Sequence, residues 1–384
     1  MSKIVPLESL RGIAAVGVVV HHFLLGFYPR LHGMEQYRPG ESLLGTPFFG
    51  LIHGEAWVYF FFCLSGFVLT FQYLSTGNQE TLRFAIMKRW PRLVLLPLLS
   101  CLVSWVLLRG GGFYNVQAAK ISTSSWLIHS APLNHEANSS LIDAIWQGLT
   151  TFFSNANGFN SNLWTMKLEF YGSMAVFLGI FALRTAAPTA RVLGVLLLSC
   201  CTFYFDLRLL PFVFGLVFSF WYVGRHLAAP RPMHWVWAAG LIVLSIGLFG
   251  FKSPVGYYSV FAAVEKVPHI HLVLYSLGAW LFLYVATRSP GVSRVLSIPV
   301  LRFLGRISFA LYVIHGLVIW SLGSAIYVRL DGLRLGQWPS LALLFLLVLG
   351  VSVASSYVLT QLDEAWVRFL NLKATRWFAT TPPA

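Results

Sequence analysis

The sequence predicts an all-α integral membrane protein, a bundle of about ten transmembrane helices with one long loop on the outer face. Three observations lead there. Of 384 residues, 57% are hydrophobic and 10% charged, with a mean hydropathy of +0.71, far outside the range of soluble domains. Apolar runs of roughly 17–25 residues, the length that crosses a bilayer, recur from end to end. Lys and Arg sort onto alternate connections, sixteen of the 27 on one side and ten on the other, which places both termini in the cytoplasm of a plasma or bacterial inner membrane. The same sorting accounts for the net charge of +14 without a nucleic-acid partner.

Taken in order, the spacing predicts spans over 10–27, 50–74, 92–108, 163–183, 191–204, 209–225, 233–251, 270–287, 303–326 and 338–360. The fifth is short enough to be tilted or half-inserted. The first holds Arg11, His21 and His22 and lacks an Ala-x-Ala cleavage site, so it reads as a retained span. The loop over about 109–162 is rich in Gly, Ser, Asn and Thr, with an amphipathic piece near Leu141–Phe153; loops of that length usually carry function. A basic amphipathic tail over about 363–384 is expected on the inner membrane surface. The whole chain, 1–384, reads as a single transmembrane domain. Cys63, Cys101, Cys200 and Cys201 lie in apolar runs without CxxC spacing and read as buried small hydrophobes, so no metal is expected.

Ionisable groups inside a bilayer cost at least about 2.5 kcal/mol each on insertion scales and call for a partner or a task. Four sets stand out. Arg11 and His22 are eleven residues apart, which returns a helix to about 20° of its starting direction and places the imidazole roughly 16 Å along the axis. His21 points about 100° away. Arg89 and Arg92 flank Pro91, which suits a first helical turn, and two guanidiniums beside a helix N-terminus make a phosphate cradle. Glu169 follows Trp164, an aromatic suited to the outer interface, and falls at a depth comparable to His22, whose ring it would orient; Lys167 and Lys252 are the alternative partners. Ser308, Tyr312 and His315 share one polar face of the ninth span, a spacing that also serves simple packing.

These segments together resemble the membrane-bound acyltransferase-3 family. The likeness runs from Leu7 to about Leu362 and rests on Arg11 with His22 ten residues between, Arg89-x-x-Arg92, FFCLSGF at Phe61–Phe67, the LWT segment around Glu169, and the SxxLYxxH segment ending at His315. The resemblance implies a ten-helix enzyme that moves an acyl group, most often acetyl, from cytoplasmic acyl-CoA to a hydroxyl of a carbohydrate, glycolipid or similar acceptor, with Arg11, His22, Arg89 and Arg92 as its essential residues. Phe170 stands where a second acid often follows Glu169. In that frame His22 is the general base or a transient acyl carrier, Arg89, Arg92 and Arg11 hold CoA phosphates, and Ser308, Tyr312, His315 and Trp164 are candidates for binding substrate or the oxyanion. A proton-coupled transporter or lipid-linked sugar flippase is the alternative for buried Glu169, His22 and His315.

Overall fold

The computed structural model describes residues 5–132, 139–226, 232–332 and 337–379; Lys3, Arg231 and Arg334, which enter the charge balance, lie outside the described residues. The described residues are helical and contain no strand. In chain order the helices are α1 (Val5–Phe27), α2 (Pro29–His32), α3 (Phe49–Ile52), α4 (Gly54–Thr76), α5 (Gln79–Leu93), α6 (Leu95–Arg109), α7 (Asn115–Ser122), α8 (Ser125–His129), α9 (Leu141–Thr150) and α10 (Trp164–Leu183). There follow α11 (Pro188–Phe205), α12 (Leu210–His226), α13 (Trp235–Gly250), α14 (Ala262–Glu265), α15 (Ile270–Arg288), α16 (Pro290–Leu296), α17 (Pro299–Val318), α18 (Ser324–Gly332) and α19 (Gln337–Ala379). Among the described residues nine helical stretches are long and apolar enough to cross a membrane, and each of the ten predicted spans corresponds to a helix. The exception to the length criterion is the seventh, α13, with 16 residues, and not the fifth, α11, with 18.

The chain divides into two compact units, one formed by residues to Gly77 with Tyr171–Ser308, the other by Asn78–Phe170 with residues from Phe309. In the first unit α4 packs along α12. Gly66 and Gly215 make this approach possible: a Cβ on Gly66 would fall 2.2 Å from the Phe212 carbonyl oxygen, and one on Gly215 would fall 2.1 Å from that of Cys63. Small residues at such crossings give dispersion contact where lipid supplies no hydrophobic drive. Thr70 Oγ1 and Ser219 Oγ add a buried 2.9 Å hydrogen bond at the same interface. Gly12 of α1 and Gly305 of α17 form a second close crossing.

In the second unit the expected loop is largely helical. A capping box between Ser140 and Asp143 starts α9, satisfying backbone donors at its first turn. From there α9 runs antiparallel to α6. At one end Trp105 Nε1 and Arg109 donate to the Ser139 carbonyl at 3.2 and 2.6 Å; in the middle Gly148 abuts Leu98; beyond, Trp90 Nε1 donates to the Leu149 carbonyl at 3.2 Å. The tail also differs from expectation. Its described residues continue the last span without a break as α19, 43 residues long, and pack on α5 through a Trp366 Nε1 bond to the Pro91 carbonyl (2.7 Å) and a Lys88 Nζ bond to Asn371 (2.8 Å). A continuous helix keeps the tail on the axis of its span.

All four cysteines are free, but only Cys63 and Cys101 are buried; Cys200 is exposed and Cys201 half-buried. The reason is local: α11 is the most peripheral of the long helices, with 6% of its apolar window inside the protein.

Candidate active site

In the first unit α1 carries Arg11 and His22. Arg11 is exposed and His22 partly exposed, while Ala15 and Val18 between them on the same stripe are buried. The 3.6-residue period therefore gives one helix face with polar ends and an apolar middle. His21, expected to point away from His22, nevertheless lies against it, with ring centroids 5.1 Å apart.

Around His21 the fold gathers two histidines that sequence reasoning did not single out. His32, the last residue of α2, and His53, which precedes α4, are both fully buried. His32 Nε2 and His21 Nδ1 are hydrogen-bonded at 2.8 Å, and the His21 and His53 ring centroids are 6.2 Å apart. Gly54 lets the chain pass: a Cβ there would meet the His21 ring at 2.7 Å. Burial first, and nearby His53 second, hold the His32 imidazole down to about 3, since a charged ring would lose its hydration. His53 Nδ1 donates to the Phe249 carbonyl at 2.7 Å, and its Nε2 stands 3.7 Å from Glu55 Oε2. Glu55 is in turn held by Lys252 Nζ at 2.6 Å, so Lys252, offered above as a partner for Glu169, pairs with Glu55. The signal available in sequence was the pair of lone histidines, His32 and His53, at either end of the first connection.

In the second unit Glu169 of α10 pairs with Arg89 of α5, and the two side chains are only 11% and 14% exposed. Lys167, the other partner considered, bonds Asn155 Oδ1 at 3.2 Å. Arg92 reaches Asp363 at 3.6 Å and stays half exposed. The predicted helix start at Pro91 is a correction: α5 begins at Gln79, capped by Asn78, and Pro91 lies inside it, with the chain bending at Val94 before α6. A proline clashes with the carbonyl four residues back, so the bend at Val94 belongs to Pro97 in the first turn of α6, whose clash falls at Leu93, while Pro91 is accommodated within α5. Arg89 and Arg92 thus sit at the end of α5, not at a helix N-terminus.

On the polar face of α17, Ser308 Oγ donates to the Gly305 carbonyl (2.8 Å), Tyr312 Oη to the Asn162 carbonyl (3.0 Å), and His315 Nδ1 to the Leu311 carbonyl (3.0 Å). Tyr312 also meets Thr165 Oγ1 at 3.1 Å. Tyr312 thereby fixes the turn that leads into half-buried Trp164, the first residue of α10. Donation to an oxyanion by these groups would require exchange of the bonds they hold. Among the described residues no group of three His, Cys, Asp or Glu is placed to hold a metal ion.

The chemistry available is therefore an imidazole on α1 beside a buried histidine cluster, and two guanidiniums on α5, each neutralised by a carboxylate. No solved structure matches the chain significantly. The O-acetyltransferase PaAT-1 of Phomopsis amygdali is 24% identical over 375 residues, covering 83% of this chain and 73% of that protein. The model of the acyltransferase-3 family, described as an acyltransferase domain, matches residues 5–360, and the chain belongs to that family as an integral membrane acyltransferase.

Proposed function

We propose that the protein transfers an acetyl group from acetyl-CoA to a hydroxyl of a carbohydrate, glycolipid or related acceptor, with His22 as the base. The observation that carries this reading is the Arg11–His22 stripe in a chain of this family, with the resemblance to an O-acetyltransferase supporting acetyl and oxygen as donor group and acceptor atom. His22 takes the hydroxyl proton as the oxygen attacks the thioester carbon; the C–S bond breaks, and the departing thiolate receives that proton. In a two-step version His22 carries the acyl group between donor and acceptor. On the second unit Arg92 and Arg89 are the guanidiniums for CoA phosphate, Arg92 being the more accessible, and on the first unit Arg11 is the basic group of the His22 stripe. Glu169 holds Arg89 in place for this. Both termini face the cytoplasm in this reading, so CoA enters from that side. Family membership favours transfer over the transport alternative.

The test is CoA release from acetyl-CoA by purified protein in the presence of candidate sugars. His22→Ala is expected to lower turnover at least 100-fold, the usual scale of a lost general base, while its elution profile and melting stay those of the parent. Undiminished turnover in that variant would refute the assignment.

A further inference from the structure

Two adjacent histidines, His21 and His22, face the same neighbourhood at the end of α1, yet the hydrogen bonds around His21 differ from those of a titrating base. The backbone N–H of Met34 donates to His32 Nδ1 at 3.4 Å, so the neutral His32 ring carries its proton on Nε2. That N–H points at His21 Nδ1, 2.8 Å away, which must then be a lone pair. A neutral imidazole carries one N–H, so His21 holds its proton on Nε2. The chain of donors runs Met34, His32, His21, and Nδ1 of His21 is spent.

We propose that His32 is a positioning residue that locks His21 in one neutral tautomer, leaving His22 as the proton-accepting imidazole of the pair. The setting fits this role. His21 and His32 are buried, and the titratable groups that face them are His22 on α1 itself and His53 ahead of α4, with Glu55 and Lys252 beyond His53. A second charge on His21, 5.1 Å from the His22 ring, would oppose protonation of His22 and weaken it as a base. The cost of charging His32 in its buried seat, which holds it down to about 3, keeps its Nδ1 free to accept from Met34 across the neutral range, and its one proton on Nε2. The proposal rests on His22 as the base for its kinetic consequence; the tautomer assignment stands or falls without it.

The test has two arms. Protein labelled with ¹⁵N-histidine, with the His21 signals assigned by their loss in His21→Asn, is expected to show Nε2 protonated and Nδ1 bare from pH 5.5 to 8. In His32→Leu the His21 proton is expected to be shared between Nδ1 and Nε2, and in His32→Gln, whose amide can donate in place of Nε2, to stay on Nε2. A wild-type His21 that titrates, or carries its proton on Nδ1, overturns the proposal, and this needs no variant to fold. In the second arm acetyl-CoA turnover is expected to fall several-fold in His32→Leu and to match wild type in His32→Gln. Unchanged turnover in His32→Leu also overturns the proposal. Absence of any acetyl-CoA turnover in wild type counts against the proposed function alone.

Discussion

Removing one half of the Arg89–Glu169 pair separates a buried ion pair from a surface one within a single helix. The two side chains are 11% and 14% exposed, so deletion of either partner takes the counter-charge from a buried ion, a loss of about 3–5 kcal/mol. Arg89→Met leaves a carboxylate, and Glu169→Leu a guanidinium that cannot deprotonate, each without the charge it pairs with. Arg83→Met is the internal control: Arg83 and Glu80 meet at 3.0 Å on the same helix but are 68% and 58% exposed, and their loss is expected to cost less than about 1 kcal/mol. The double variant Arg89→Met/Glu169→Leu is expected to be more stable than either single one. Unfolding in detergent at pH 7, each variant against wild type, measures all four. A cost for Arg89→Met no larger than for Arg83→Met would refute the reasoning.

Stability should also depend on pH through His32. Its folded value of about 3 lies below the ordinary imidazole value near 6.5, so the unfolded chain binds the extra proton between them. The contribution is whole above about pH 6.5 and is lost as pH falls toward 3, by up to about 1.4 kcal/mol per unit; melting curves from pH 7.5 to 5 should show the decline and His32→Gln should flatten it. Gly12→Ala places a methyl 2.5 Å from the Gly305 nitrogen and 2.6 Å from the Leu304 carbonyl carbon, backbone atoms that cannot step aside, and should cost about 1–3 kcal/mol or more. Gly240→Ala, in α13 with nothing within 4 Å, should instead be neutral or stabilising by about 0.5–1 kcal/mol; thermal unfolding of the two in parallel checks the contrast.

What the sequence by itself determined is the class and the order of the helices, because a bilayer leaves backbone groups no partner except their own helix, and apolar runs of spanning length then admit one structure. It also determined that Arg11 and His22 share a face, since both lie on a single helix and helical periodicity is local. The amphipathic piece near Leu141–Phe153 was legible for the same reason and became α9. Tertiary structure decided the partners. Glu169 pairs with Arg89, eighty positions away, and Lys252 with Glu55, 197 away, pairings that no periodicity encodes. The burial of His32 and His53 beside His21, and the course of α9 along α6, depend on where a connection returns after leaving its helix. Pro91 shows the limit most directly: a proline can open a helix or lie within one, and the helix already begun at Gln79 and packed on α19 placed it inside.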